Sequence, residues 1–280
     1  MDSFATSILS QPYILRSILA IILIAINASV TGSFTIFRNV SFLVAGASHA
    51  ALAGAALAIV LGMYGIINLN PIVGGAIFAV FTALAAGYAA KDEGINTAIA
   101  ISFAMSMSLA ILFISMIREY AARVWGLLMG DLFLLTDYDL VLMTISTLFV
   151  IIVAIIFYRE FLFVSFDMEG ALAYGINATF VNYLLLTIIA ISVVVMLKGV
   201  GAILVFAMFV APAAAANEVA RKISDVFILA FIIAALSGFF GIFVSFYAEI
   251  SPGAIAALLA SLIYFLSVAF KKFQKFQKIG

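Results

Sequence analysis

PIVGGAIFAVFTALAAGYAAKDEGINTAIAISFAMSMSLAILFISMI, residues 71–117, holds two long apolar runs parted only by Lys91-Asp92-Glu93 and Gly94. Each run supplies the ~20 residues, at ~1.5 Å apiece, that a helix needs to cross a hydrocarbon layer ~30 Å thick. Three adjacent charges followed by glycine have no place in hydrocarbon, so the chain must turn there, and the two runs form a tight hairpin of neighbouring helices.

The same punctuation by Pro, Gly and charge continues in both directions. Apolar runs are read at 17–37, 46–66, 71–90, 94–117, 140–158, 181–197, 200–216, 226–248 and 253–270, the sixth and seventh separated only by Lys198-Gly199. This pattern predicts an all-α fold: a polytopic transmembrane helix bundle of about nine spans, within a range of about eight to ten, forming one transmembrane domain over 1–280. The opening MDSFATSILSQPYILRSIL lacks the basic start and A-x-A site of a removable signal, so the first span is read as retained. Runs of small residues such as Ala83–Ala90 and Ala211–Ala216 suit close helix packing where lipid offers no hydrophobic drive.

Composition agrees. Of 280 residues, 67% are hydrophobic and 9% charged, against about 45–50% and ~25% in a soluble domain. A multi-pass protein of the cell (plasma) membrane is expected, with the lipid bilayer as its surroundings. Thirteen Lys and Arg balance thirteen Asp and Glu, leaving no basic face for nucleic acid. Cysteine is absent and histidine occurs once, which excludes disulfide scaffolds, cysteine nucleophiles and His-cluster metal sites within one chain. Alternating nine spans puts Arg38, Lys91, Arg159, Arg221, Lys222, Lys271, Lys272, Lys275 and Lys278 on one side and Arg16, Arg118, Arg123 and Lys198 on the other. The positive-inside rule then places the amino end outside and the carboxyl end in the cytoplasm.

His49 is the residue that stands out. A continuous helix would carry it about 16 Å inward from Arg38, near the bilayer midplane. An ionisable group at that depth marks a substrate path or else is a neutral imidazole bonded to a neighbour, with Ser48 and Asn27 as candidate partners. Asn27 itself reads more simply as interhelical glue. Glu249, before Ser251-Pro252-Gly253, is either a carboxylate at the mouth of a cation path or a solvated charge ending a helix. Asp131, Asp137 and Asp139 are expected to cap helices and face water. Their spacing lacks the calcium-loop pattern.

The longest loop on the side assigned to the cytoplasm, 159–180, contains SFDMEGALAYG (165–175). Asp167 can N-cap a short helix, Glu169 complements its positive end, and Gly175 fits the left-handed stop. Met168, Ala171 and Leu172 then share an apolar face, and a helix of two turns must dock on something to persist. No G-x-x-x-x-G-K-[ST], H-E-x-x-H or G-x-S-x-G occurs, so this chain is read as no enzyme and as hydrolysing no nucleotide itself.

Over Phe37 to Leu266 the sequence resembles the membrane (permease) subunits of ABC transporters that import zinc, manganese or iron. Phe37-Arg38-Asn39-Val40-Ser41 with Ala47-Ser48-His49-Ala50, the hairpin at Lys91-Asp92-Glu93, Gly126–Leu140, and Val200–Val205 running to Ala211-Pro212-Ala213-Ala214 are similar to family segments. The most specific likeness is to the family's F-D-x-E-x-A-x-x-x-G coupling segment, with Phe166, Asp167, Glu169, Ala171 and Gly175 in register. The resemblance implies a homodimer of this chain, two cytoplasmic ATP-binding subunits that carry the nucleotide, an extracytoplasmic metal-binding protein, and no cofactor of this chain's own. It implies a metal path at His49, where Asn27, Ser48, Glu249 or His49 of the partner subunit would complete the ligands, because Ala45 stands where the family commonly has an aspartate. A stand-alone secondary carrier or channel with His49 as a proton-linked gate is the other reading that the residues leave open.

Overall fold

The hairpin at 71–117 turns where the charges demand: Gly94 (φ 83°) separates a helix at Pro71–Glu93 from one at Ile95–Ser115. The structure is a computed structural model describing residues 11–117, 130–202, 204–248 and 250–277, with the backbone alone at 91–93 and 275–277. In chain order the helices are α1 Pro12–Phe37, α2 Phe42–Met63, α3 Pro71–Glu93, α4 Ile95–Ser115, α5 Asp137–Ile156, α6 Tyr158–Phe166, α7 Met168–Ala173, α8 Ala178–Val200, α9 Val205–Val219, α10 Ile223–Ala248 and α11 Pro252–Gln277.

Their starts follow from sequence chemistry. Pro12 and Pro71 stand in first turns, where the missing N–H costs nothing. The Asn70 side chain accepts from Ile72 N at 2.9 Å, Asn177 from Phe180 N at 3.0 Å, and Thr136 with Asp139 closes a reciprocal capping box on α5.

Among the described residues eight helices are long and apolar enough to cross a membrane. The ninth expected span is the 15-residue α9, about 22 Å long and short of the ~30 Å layer. Its shortfall is made up by irregular backbone at Gly201–Ala202, both buried. Non-helical backbone at membrane depth is tolerated only under protein cover. Gly130 (φ 63°) supplies the cover, packed so closely on Gly201 (φ 86°) that a Cβ could not be added, and Asp131 N donates to Lys198 O at 3.3 Å. The second span begins at Phe42, earlier than the expected 46.

α2 is the most enclosed span, whereas α4 and α11 lie at the periphery. Small residues permit this enclosure: a Cβ on Gly75 would sit 2.9 Å from the Ala51 carbonyl oxygen, and one on Gly74 2.6 Å from that of Gly54. The α2–α3 contact is therefore backbone on backbone, as packing without a hydrophobic drive requires.

α1 is not uniform. Ala28–Gly32 is a π-helical turn inside it, and Gly32 there lies against α9, where a Cβ would meet the Phe209 carbonyl oxygen at 2.5 Å. Such bulges concentrate at functional positions.

The two ends of the bundle differ. At one, Arg16 pairs with Asp137 (2.6 Å), Ser17 Oγ donates to Leu132 O (2.8 Å) and Lys198 pairs with Asp139 (2.6 Å). The other end holds Arg38, α6, α7 and the Lys271–Glu218 pair at 2.9 Å. Among the described residues the chain alternates between these ends through the eight long apolar helices and the shorter α9.

Asp139 corrects an expectation. It caps α5, but it is 4% exposed instead of facing water, and Lys198 offsets its charge. Arg118, Arg123 and Lys278, together with residues 126–129 of the expected outer-loop pattern, lie outside the described residues.

Candidate functional site

The corner between α1 and α2 sets the position of His49. Asn39 (φ 58°) adopts the left-handed conformation, its N–H bonds Ile36 O (3.0 Å), and Val40 N bonds Thr35 O (3.0 Å) with the Val40 side chain buried. This is a Schellman stop closed by its apolar residue, and asparagine tolerates the positive φ better than most side chains. Leu43 N then bonds Val40 O (2.9 Å), so α2 starts anew after only four residues.

Because the helix is interrupted there, depth must be counted from Phe42. His49 is about 10 Å along α2, shallower than an unbroken helix from Arg38 would place it and short of the midpoint of the span. Its ring packs edge-on against Phe103 of α4, with centroids 5.1 Å apart and planes at 76°. Nδ1 is buried and has no hydrogen-bond partner among the described residues. Ser48, a suggested partner, instead bonds back to Ala45 O of its own helix at 2.9 Å.

Asn27 is not brought to the imidazole by any hydrogen bond. Its Nδ2 donates to Leu23 O (2.8 Å) and to Thr147 Oγ1 of α5 (2.7 Å), the interhelical role expected of it, while its Oδ1 is buried with no partner among the described residues. Glu249 lies outside the described residues. Among the described residues no group of three or more His, Asp or Glu converges. A cavity of about 260 Å³ is lined by Ala51 and Ala55 of α2, Asn70, Met143, Ser146 and Lys198. At 100° per residue Ala51 and Ala55 point away from His49, so this cavity is separate from the imidazole.

The predicted docking element is present with altered bounds. α5 ends at Phe157, and Ser165 and Phe166 complete a separate nine-residue helix, α6, where a loop was expected. Asp167 Oδ1 accepts from Gly170 N at 2.8 Å, Glu169 is exposed in the first turn, and Ala171 is fully buried. Gly175 (φ 81°) ends α7, with Gly175 N bonded to Leu172 O (3.0 Å) and Ile176 N to Ala171 O (3.1 Å). Leu172 corrects the proposed apolar face: it is 51% exposed, as are Phe166 (61%) and Tyr174 (82%). α7 therefore docks through Ala171 and Met168 and leaves an apolar fringe uncovered.

Two contacts escaped the sequence reading. Arg38 reaches Asn182 Oδ1 of α8 through Nε at 3.1 Å and Met168 Sδ of α7 through Nη2 at 3.3 Å. Burial pulls its guanidinium below the usual arginine value, and among the described residues no carboxylate lies within ion-pair distance. Beneath it Phe34, Phe37, Tyr158, Phe161, Phe166 and Phe227 form a ring cluster with centroids 5.5–6.3 Å apart. The density of phenylalanine at 157–166, four in ten residues, was the available signal, masked by the abundance of phenylalanine throughout the chain.

The model of the ABC 3 transport family matches residues 10–271. The chain belongs to that family. The manganese transport system membrane protein MntC of Listeria monocytogenes is 31% identical over 269 residues, 95% of this chain and 94% of that one. The manganese import system permease protein ScaB of Streptococcus gordonii is 27% identical over 95% of this chain and 94% of its own. Among solved structures, PsaBC from Streptococcus pneumoniae in complex with Fab superposes with a TM-score of 0.82 at 25% identity, covering 95% of this chain and 94% of that one. The family is the one that the motifs at 37–50 and 165–175 resemble, and its members fix this chain as a multi-pass protein of the cell membrane.

Proposed function

We propose that this chain is the permease subunit of an ATP-binding-cassette importer that moves a divalent transition-metal ion, manganese first, across the cell membrane by alternating access. Zinc and iron are the other ions in view. In this reading two copies form the path, two cytoplasmic ATPases bind and hydrolyse ATP, an extracytoplasmic protein delivers the ion, and the amino end is outside.

The observation that carries the reading is His49: a buried imidazole nitrogen with no partner, on the most enclosed span of a chain whose relatives are named as manganese permeases. A neutral imidazole offers a lone pair suited to first-row transition metals. One imidazole by itself holds such an ion weakly, which suits a site that must also release it. His49 of the partner subunit, Glu249 and the free Asn27 Oδ1 are the donors that would add to it. Phe166, Asp167, Glu169, Ala171 and Gly175 form the ATPase-coupling segment, and 159–180 the cytoplasmic coupling region.

His49→Asn tests the site, because asparagine keeps hydrogen bonding and discards the strong metal donor. The variant complex is expected to assemble and hydrolyse ATP while manganese uptake falls at least about tenfold, the loss of one transition-metal ligand being of that order. Uptake of manganese, zinc and iron at wild-type rates by a stable variant would remove His49 from the path.

A further inference from the structure

We propose that Arg38 is a positioning residue that ties the coupling segment to the span carrying His49, so that a displacement of α7 is delivered to α2. The inference rests on the reading of α7 as the ATPase-docking element.

The geometry leads to Arg38 from three sides. Its guanidinium hydrogen-bonds both α7, at Met168 Sδ, and the first turns of α8, at Asn182 Oδ1, while belonging to the end of α1. The end of α1 is also locked to the coupling segment through rings: Phe34 meets Phe161 at 5.5 Å and Phe37 meets Phe166 at 5.5 Å. Beyond Arg38 the path to His49 has no slack, since the Schellman stop fixes residues 35–40 and α2 begins at Phe42. Packed elements shift as bodies and do not deform continuously. Movement of α7 therefore carries the α1 end with it, and the corner carries α2.

The chemistry of the contact fits a relay better than a staple. A guanidinium has five donors in a rigid fork, and Arg38 uses one on a neutral amide and one on a thioether sulfur, which is a weak acceptor. Among the described residues no carboxylate lies within ion-pair distance to pin the fork in one arrangement. Neutral partners hold the fork in place yet let it exchange acceptors as the elements move.

The test uses the intact complex of permease and ATPase in proteoliposomes, measuring manganese uptake and ATP hydrolysis in the same vesicles. Arg38→Gln should keep manganese-stimulated hydrolysis within about twofold while the ions moved per ATP fall by about tenfold, as expected for loss of coupling between two sites. Arg38→Lys, which retains charge without the fork, should lie between. Should Arg38→Gln fail to assemble, Asn182→Leu keeps the guanidinium, removes its acceptor and is expected to lower the same ratio. An unchanged ratio in the assembled variants, including a parallel fall of uptake and hydrolysis, would overturn the inference and leave the transport function standing. A wild-type complex that moves no manganese would overturn the docking reading, and the inference with it.

Discussion

Asp139 has both carboxylate oxygens within 2.7 Å of Lys198 Nζ, while Thr136 N and Oγ1 donate to Oδ2 at 2.8 and 2.6 Å. The carboxylate is thus satisfied, but only as long as the ammonium is present. Lys198→Met should leave a 4%-exposed charge uncompensated and cost about 2–3 kcal/mol, below the ~3–5 of a fully enclosed pair because the lysine is partly solvated. Adding Asp139→Asn should restore most of that loss. Unfolding midpoints in detergent measure both, and a single variant as stable as wild type would show that the pair contributes nothing. At this scale the sequence is uneven evidence. His49 was legible because it is the only histidine, and Asn27 because an amide in hydrocarbon needs a partner. The burial of Asp139 was not, since its partner is 59 residues away and local spacing records only the cap. The helix break between Arg38 and His49 was not legible, because the stop at Asn39 carries no proline or glycine to announce it.

The short helix α7 was readable as an element for the opposite reason: its start and stop are local chemistry, Asp167 at one end and Gly175 at the other. Its neighbour α6 was not, because the break at Phe157 has neither signal, nor did any local feature announce the π-helical turn in α1. Asp167→Ala with Glu169→Arg should remove the cap and place a cation at the positive end of α7, destabilising it by about 1–2 kcal/mol. The bundle, which holds α7 chiefly through buried Ala171, should unfold at nearly its original midpoint, while substrate-stimulated ATP hydrolysis by the complex falls. Unchanged stimulation would mean that the ATPases dock elsewhere. If the ATPases are cytoplasmic, as proposed above, the predicted loss would also put the α7 end of the bundle inside and the amino end outside, the orientation expected from the distribution of Lys and Arg.

For the whole molecule, eight long apolar helices and the shorter α9, among the described residues, sort the ionic groups onto two ends while one span, α2, runs through the centre enclosed by small residues. The order of the apolar helices was legible from apolar length alone. The shortness of α9 was not, because Val200–Ala216 is as apolar as a full span and only the packing of Gly130 on Gly201 shows where its helix begins. In the proposed reading the engine lies outside this chain and meets the exposed apolar fringe at α6 and α7, at the end joined through Arg38 to the His49 span. The secondary-carrier alternative needs none of these features. The decisive measurement is initial manganese uptake into proteoliposomes holding the permease with its ATPases and binding protein, energised either by ATP or by a proton gradient alone. Uptake with ATP in the absence of any gradient, and none with the gradient in the absence of ATP, is the predicted result; uptake driven by the gradient without ATP would contradict the account.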